Sequence, residues 1–345
     1  MHIDLSVALA GLIVGFTVGL TGMGGGALMT PILVLLFKVQ PLAAVSSDLV
    51  AAMVMKPIGG SVHAKRGTVN WTLVRWLALG SIPAAFGGVF VLRALGGDRF
   101  QSNLKIILGV VLIVAAASIV VKSYLQGHQA ERMRRHGLEH EPFRIKPIAT
   151  LLIGVIGGLV VGMTSVGSGS LIIVALLLLY PMLTSKELVG TDLVQAIPLV
   201  AAAAFGHILY GDFQLSLTTS ILIGSLPGVY FGARLSSRAP DGLIRPALVF
   251  VLVASGLKLT GLPTLTLGYI LVGMIAVGLP VWGAVDAARK HEDRWEGGER
   301  SRTRWVRLQS FGALVGVGFV ASIVYFARIR PRLVPSRAAA VPAAA

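Results

Sequence analysis

Two glycine-rich interruptions of apolar sequence constrain this chain more than any other feature. Thr21-Gly22-Met23-Gly24-Gly25-Gly26 divides one apolar run, and Thr164-Ser165-Val166-Gly167-Ser168-Gly169 divides another 143 residues later. Glycine in a helix interior costs about 1 kcal/mol relative to alanine, so neither stretch suits the middle of a continuous helix. The flanking sequence is membrane-like: 55% of the 345 residues are hydrophobic and 13% are charged, where soluble domains carry about 25% charged residues. In lipid, an unwound backbone is tolerated only where protein surrounds it or where it lines a cavity. Paired breaks in corresponding halves of a membrane protein point to a transport site. Strand-period alternation is missing, which excludes a barrel and leaves an all-α polytopic membrane protein.

Read against the roughly 20 residues that one spanning helix needs, residues 5–20 and 27–37 flank the first break as short half-helices. Segments 42–63, 71–95 and 104–121 follow, and then the polar stretch Lys122–Lys146, expected to be a solvent-exposed linker. The pattern restarts with 147–163 and 170–183 around the second break, then 186–210, 215–235 and 245–259. Two further apolar segments, 264–285 and 309–327, have no counterpart in the first half and are separated by the charged run Asp286–Arg307. The expected organisation is a membrane repeat over 1–125, a linker over 126–146, a second repeat over 147–262, and two extra helices with a charged loop and tail over 263–345. The start, Met1 to Asp4, lacks the basic region of a cleaved signal peptide, so the first apolar segment is expected to be retained.

The recurrence extends to individual residues. Gly15, Gly19, Thr21, Gly24 and Gly26 match Gly158, Gly162, Thr164, Gly167 and Gly169. With one residue inserted, Asp48-Leu49-Val50 matches Asp192-Leu193-Val194, His63 falls on His207, and Gly80-Ser81-Ile82-Pro83 falls on Gly224-Ser225-Leu226-Pro227. A matched intramembrane Asp, His and Pro in one register marks two homologous repeats. If each break is a hairpin, the first unit has five segments, and an odd count starts the second on the opposite side of the membrane. Placing Lys122–Lys146 and Asp286–Arg307 inside agrees with the positive-inside bias, although Arg93, Arg99 and Lys105 then lie outside. Inverted repeats are the expectation.

The formal charge of +15 resides in connections and the tail, as that bias produces, and no nucleic-acid-binding motif accompanies it. No nucleic-acid partner is expected. There are no cysteines, which removes disulfides and thiolate chemistry. The run from His136 to Glu141 has no zinc-type helix motif around it and reads as a solvated loop. No metal or other cofactor is expected.

Candidate site residues fall in three groups. In the breaks, Thr21, Gly22, Gly24, Gly25, Gly26, Thr164, Ser165, Gly167, Ser168 and Gly169 combine permissive backbone with hydroxyls near half-helix ends, where N–H groups favour anions. Gly15, Gly19, Gly158 and Gly162, at four-residue spacing, suit close helix packing instead. On segment 42–63, Lys56 lies about 80° and His63 about 60° from Asp48 at 100° per residue, so these three share a face; Ser46 and Ser47 precede Asp48 on the same segment. The second half carries Thr191, Asp192, Gln195 and His207, with Val200 where Lys56 would map. Asp48 and Asp192 suit either a proton carrier or a structural pin for the broken helices. Lys56 suits a counter-charge for an anion, a partner for Asp48, or a snorkelling surface residue. His63 and His207, near helix ends, are expected at the interface, and Pro83 and Pro227 are expected to kink their helices.

Together, the TGMGGG break, the Asp48 helix, the turn from His63 to Gly67 and the Gly-Ser-x-Pro segment, all duplicated, resemble the sulfite exporter TauE/SafE family over roughly residues 8–262. The resemblance implies a multi-pass protein of a bacterial or archaeal cytoplasmic membrane, built of two homologous halves and moving sulfite, sulfonates or related anions. It also implies that the breaks around Gly24–Gly26 and Gly167–Gly169 contact substrate. The leading function is secondary transport of a small anion, with Asp48 and Asp192 available for proton coupling; a passive anion channel is the alternative. Neither a Walker-type phosphate loop nor an HExxH or G-x-S-x-G motif occurs, so no enzymatic activity is expected. The expected partners are a small anionic substrate and membrane lipid, and the sequence leaves a homo-oligomer open.

Overall fold

A computed structural model describes residues 3–21, 26–65, 67–94, 100–136, 145–235, 241–288, 302–315 and 318–329, and the described secondary structure is helical. The chain divides into two units, one of residues 1–239 with 251–262 and one of 240–250 with 263–345.

In the first unit, α1 (Leu5–Thr21) and α2 (Gly26–Leu35) flank the first break. They are followed by α3 (Pro41–Lys65), α4 (Trp71–Ala94) and α5 (Phe100–His136). α6 (Pro147–Thr164) and α7 (Leu171–Leu179) flank the second break, then come α8 (Ser185–Tyr210), α9 (Leu215–Leu235) and α10 (Asp241–Leu259), of which residues 251–259 belong to this unit and 241–250 to the other. Among the described residues of the whole chain, six helical spans are long and apolar enough to cross a membrane, five of them in this unit. α5 overruns its expected end at 121 and continues through much of the anticipated linker to His136. Its Gln, Ala, Glu, Arg and Met residues are strong helix formers, so charge alone did not end the helix. α8 starts with a capping box: the Thr184 hydroxyl accepts from the Glu187 N–H at 3.3 Å, and the Glu187 carboxylate accepts from the Thr184 N–H at 2.8 Å.

The first arm of each broken pair packs against the Gly-Ser-x-Pro helix of the other half, α1 on α9 and α6 on α4. Glycines set these contacts. A Cβ at Gly15 would lie 2.5 Å from the Ser225 carbonyl oxygen, and one at Gly158 would lie 2.5 Å from that of Ser81. Gly11 meets the Ile221 carbonyl as Gly154 meets that of Leu77, and Gly80 meets the Leu151 carbonyl as Gly224 meets that of Ala8. Each pair obeys the offset read from the sequence. Such close backbone approach is how helices associate in lipid, where burial of apolar surface between helices gains little. Pro83 and Pro227 lie inside α4 and α9, which run on through them.

The faces turned away from these crossings are apolar. On α1, Leu5, Leu9 and Ile13 are 72%, 55% and 67% exposed; on α6, Ile148, Leu152 and Ile156 are 75%, 51% and 64% exposed. Stripes of this kind on successive helices are what lipid covers.

In the second unit, α11 (Thr264–Gly273) passes through a π-helical turn at Met274–Gly278 into α12 (Leu279–Ala288). α13 (Arg302–Val315) starts inside the run expected to be a charged loop, and α14 (Gly318–Val324) ends in a second π turn, Tyr325–Ile329. Ala287, Tyr325 and Phe326 form a buried cluster with Trp282 and Trp305 packed against it. The Ser322 hydroxyl donates to Gln309 Oε1 at 2.9 Å between α14 and α13.

Candidate functional site

The second break begins where α6 stops at Thr164. The Thr164 hydroxyl donates to the Val160 carbonyl at 2.6 Å and accepts from the Val166 N–H at 3.2 Å, which holds the turn closed from within. Ser165 is left-handed (φ 61°), and Gly167 and Gly169 have φ of 125° and 96°. At φ 125° a side chain is strained, which is why glycine is required there. Residues 164–170 are all buried. Of the first break, Gly26 is described and buried; Gly22, Gly24, Gly25 and the side chain of Thr21 lie outside the described residues. Gly26 is pressed against the second break, since a Cβ there would come 1.9 Å from the Ser165 carbonyl oxygen.

Asp48 of α3 is fully buried, and the second break reaches it from the other half of the chain. The Ser165 hydroxyl donates to Asp48 Oδ2 at 2.8 Å, and the Thr30 hydroxyl of α2 donates to the same oxygen at 2.9 Å. Asp48 Oδ1 has no hydrogen-bond partner among the described residues. Lys56, two turns along α3, donates from Nζ to Ser168 Oγ. Its ammonium is attracted by two carboxylates, Asp192 foremost and Asp48 second. Lys56 is therefore no snorkelling surface residue: it carries a positive charge to the unwound segment, between aspartates of both halves.

Asp192 of α8 is buried in a fuller network. Gln195 Nε2 donates to Asp192 Oδ1 at 3.4 Å, the Ser81 hydroxyl of α4 donates to Gln195 Oε1 at 3.3 Å, and the backbone of Gly169 also hydrogen-bonds the carboxylate. Ser47 and Thr191, neighbours of the two aspartates, do equivalent work. The Ser47 hydroxyl accepts the Gln214 N–H at 3.3 Å before α9, and the Thr191 hydroxyl accepts the Asn70 N–H at 3.0 Å before α4. Each ties the start of a Gly-Ser-x-Pro helix to the aspartate helix beside it, satisfying an N–H that its own helix cannot.

His207 departs from expectation. It is fully buried rather than interfacial, with Nε2 2.7 Å from the Gly162 carbonyl and Nδ1 2.8 Å from Ser46 Oγ. A carbonyl only accepts, so Nε2 carries the hydrogen and Nδ1 of the neutral ring accepts from Ser46. Ser46 also accepts the Asp212 N–H at 3.2 Å. The ring thus ties α8 to α3 and to α6 one turn before the break. The side chain of His63 lies outside the described residues. Thr30 was not singled out from the sequence, since a single hydroxyl in an apolar helix is common; Ser81 was read only as part of the duplicated Gly-Ser-x-Pro segment, with no site role.

Buried carboxylates, a half-buried ammonium and an unwound backbone, all inside a bundle of membrane-length helices, define a multi-pass membrane transporter. The sulfite exporter TauE/SafE family matches residues 7–259, and the chain belongs to it. Among its relatives, the probable membrane transporter protein YjnA of Bacillus subtilis (strain 168) is 38% identical over 258 residues, covering 74% of this chain and 99% of that protein. The probable membrane transporter protein YdhB of the same organism is 23% identical over 261 residues, 75% of this chain and 99% of that protein. A probable membrane transporter protein of Xylella fastidiosa (strain Temecula1 / ATCC 700964) is 27% identical over 236 residues, 66% of this chain and 83% of that protein. No solved structure matches the chain.

Proposed function

We propose that this transporter moves a small sulfur-containing oxyanion, sulfite or a sulfonate, across the cytoplasmic membrane by alternating access, with a proton carried on Asp48 or Asp192. The observation that carries the reading is Lys56 held against Ser168 of the unwound segment. A cation kept away from lipid, beside backbone released from helical bonding, suits an anion that must shed its water. The family description supports sulfite as the first substrate to assay. Two buried carboxylates facing one ammonium supply the groups that proton coupling needs.

Purified protein in proteoliposomes tests the reading by sulfite counterflow and by uptake driven with a pH gradient. Saturable counterflow is expected, and Asp48→Asn should remove the dependence on the pH gradient. Coupling that survives the substitution would take Asp48 out of the mechanism, and large single-channel currents would establish a passive channel instead.

A further inference from the structure

The two halves treat their aspartates differently, and one substitution accounts for the difference. In the second half, Gln195 stands one turn after Asp192 and bridges it to Ser81. Moving every position by the same 144-residue offset places Ala51 one turn after Asp48 and Ser225 opposite it. The backbone at the two serines is set alike, because Gly15 meets Ser225 as Gly158 meets Ser81. Ala51 is fully buried but has no amide to offer. The two atoms that the amide would join, Asp48 Oδ1 and Ser225 Oγ, are two of the four buried side-chain polar atoms left without a hydrogen-bond partner among the described residues; the others, on Gln101 and Gln309, belong to different helices. A buried polar atom without a partner costs about 1–3 kcal/mol, and here the deficit falls on both ends of one missing bridge. α3 also packs on α9 less extensively than α8 packs on α4.

We propose that the position over Ala51, between Asp48 Oδ1 and Ser225 Oγ, binds the transported oxyanion together with one proton, the ligand taking the place that the Gln195 amide fills in the other half. This rests on the transport reading above and specifies its site. The Ser225 hydroxyl donates to one oxygen of the anion. A second oxygen shares with Asp48 Oδ1 a proton taken up together with the anion. The charged group acting on Asp48 is Lys56 of its own helix, which is shared with Asp192 of α8, and Asp192 is attracted in turn by Lys122 of α5; His207 of α8 lies beside Ser46, and α2 and the second break contribute the hydroxyls of Thr30 and Ser165. Asp48, Asp192, Lys56 and Lys122 together sum to no net charge. A monoanion, a sulfonate or hydrogensulfite, entering with one further proton keeps that balance, whereas the monoanion alone would add one uncompensated negative charge. Uncompensated charge in a dry interior is strongly disfavoured.

The test is Ala51→Gln, which rebuilds in the first half the bridge present in the second, with Ser225→Ala as an independent variant. Sulfite is the probe, read by thermal unfolding of the detergent-solubilised protein and by counterflow in proteoliposomes. Ala51→Gln should raise the melting temperature and abolish both sulfite-dependent stabilisation and counterflow. Ser225→Ala should leave the melting temperature near that of wild type and weaken apparent sulfite affinity by about tenfold or more, the size expected for a lost hydrogen bond to an ion. Sulfite handled by Ala51→Gln as by wild type would overturn the proposal, and so would loss of thermal stability in Ala51→Gln combined with unchanged sulfite affinity in Ser225→Ala. A wild type that carries no sulfite, with Ala51→Gln still melting higher, would sink the sulfite transport reading while upholding a two-ended polar site over Ala51.

Discussion

Lys56 is the most informative single residue to perturb, because the structure places its charge between halves rather than within one. Its ammonium is attracted by Asp192 of α8 and Asp48 of α3, and it donates to Ser168. Lys56→Met keeps the length and apolar stem but removes the counter-charge of Asp48 and leaves Asp192 with that of Lys122 alone. Removing one partner from a buried ionic set costs about 3–5 kcal/mol, since the remaining charge stays desolvated and uncompensated. In a chain of this size that corresponds to a fall in melting temperature on the order of 10 °C. The carboxylate to neutralise in compensation is Asp192, the stronger of the two attractions. Lys56→Met with Asp192→Asn should therefore recover most of the loss, and Lys56→Met with Asp48→Asn should recover less. Thermal unfolding of the four purified proteins in one detergent completes the comparison. A single variant within about 0.5 kcal/mol of wild type, the level of an ordinary surface substitution, would refute a buried interhalf charge. Equal recovery by both double variants would refute the assignment to Asp192.

Two further outcomes follow from the geometry. Lys56→Ala should weaken sulfite binding more than Val200→Ala does, measured as the sulfite-dependent shift in melting temperature; equal effects would mean that the charge asymmetry of the halves does not reach the substrate. Gly158→Ala places a Cβ 2.5 Å from the Ser81 carbonyl oxygen and should cost about 1–3 kcal/mol, whereas Gly87→Ala, with nothing within 4 Å, should be neutral or gain the helix preference of alanine. Similar melting temperatures for these two variants would show that α4 and α6 can separate at no cost.

Much of the architecture was legible in the residues because hydropathy and helical period are local properties. Residues 5–20, 71–95 and 215–235 read as helices, and α1, α4 and α9 occupy nearly those bounds. The limits of α5 and α13 were misjudged for a local reason as well: a charged stretch was taken to end a helix, yet arginine, glutamate and glutamine extend one readily. For the site, the shared face of Asp48 and Lys56 followed from rotation per residue. Whether the lysine served a substrate, Asp48 or the lipid interface did not, because those alternatives differ only in what stands opposite.

The sequence by itself therefore determined a helical membrane protein, the position of the second break, and which side chains are too polar for lipid. Each of these follows from composition or from spacing within one helix. Only the tertiary structure decided that each broken arm rests on the other half's Gly-Ser-x-Pro helix, that Ser165 and Ser168 reach back to Asp48 and Lys56, and that His207 is buried against Ser46 and Gly162. These contacts join residues more than 40 positions apart, and most join residues more than 100 apart. They depend on how close two helices can come, which here is set by glycines on both sides of each crossing. The meaning of Ala51 is of the same kind: alanine in an apolar helix carries no signal alone, and it becomes informative only once Ser225 and Asp48 are seen to lack the partner that Gln195 supplies to their counterparts.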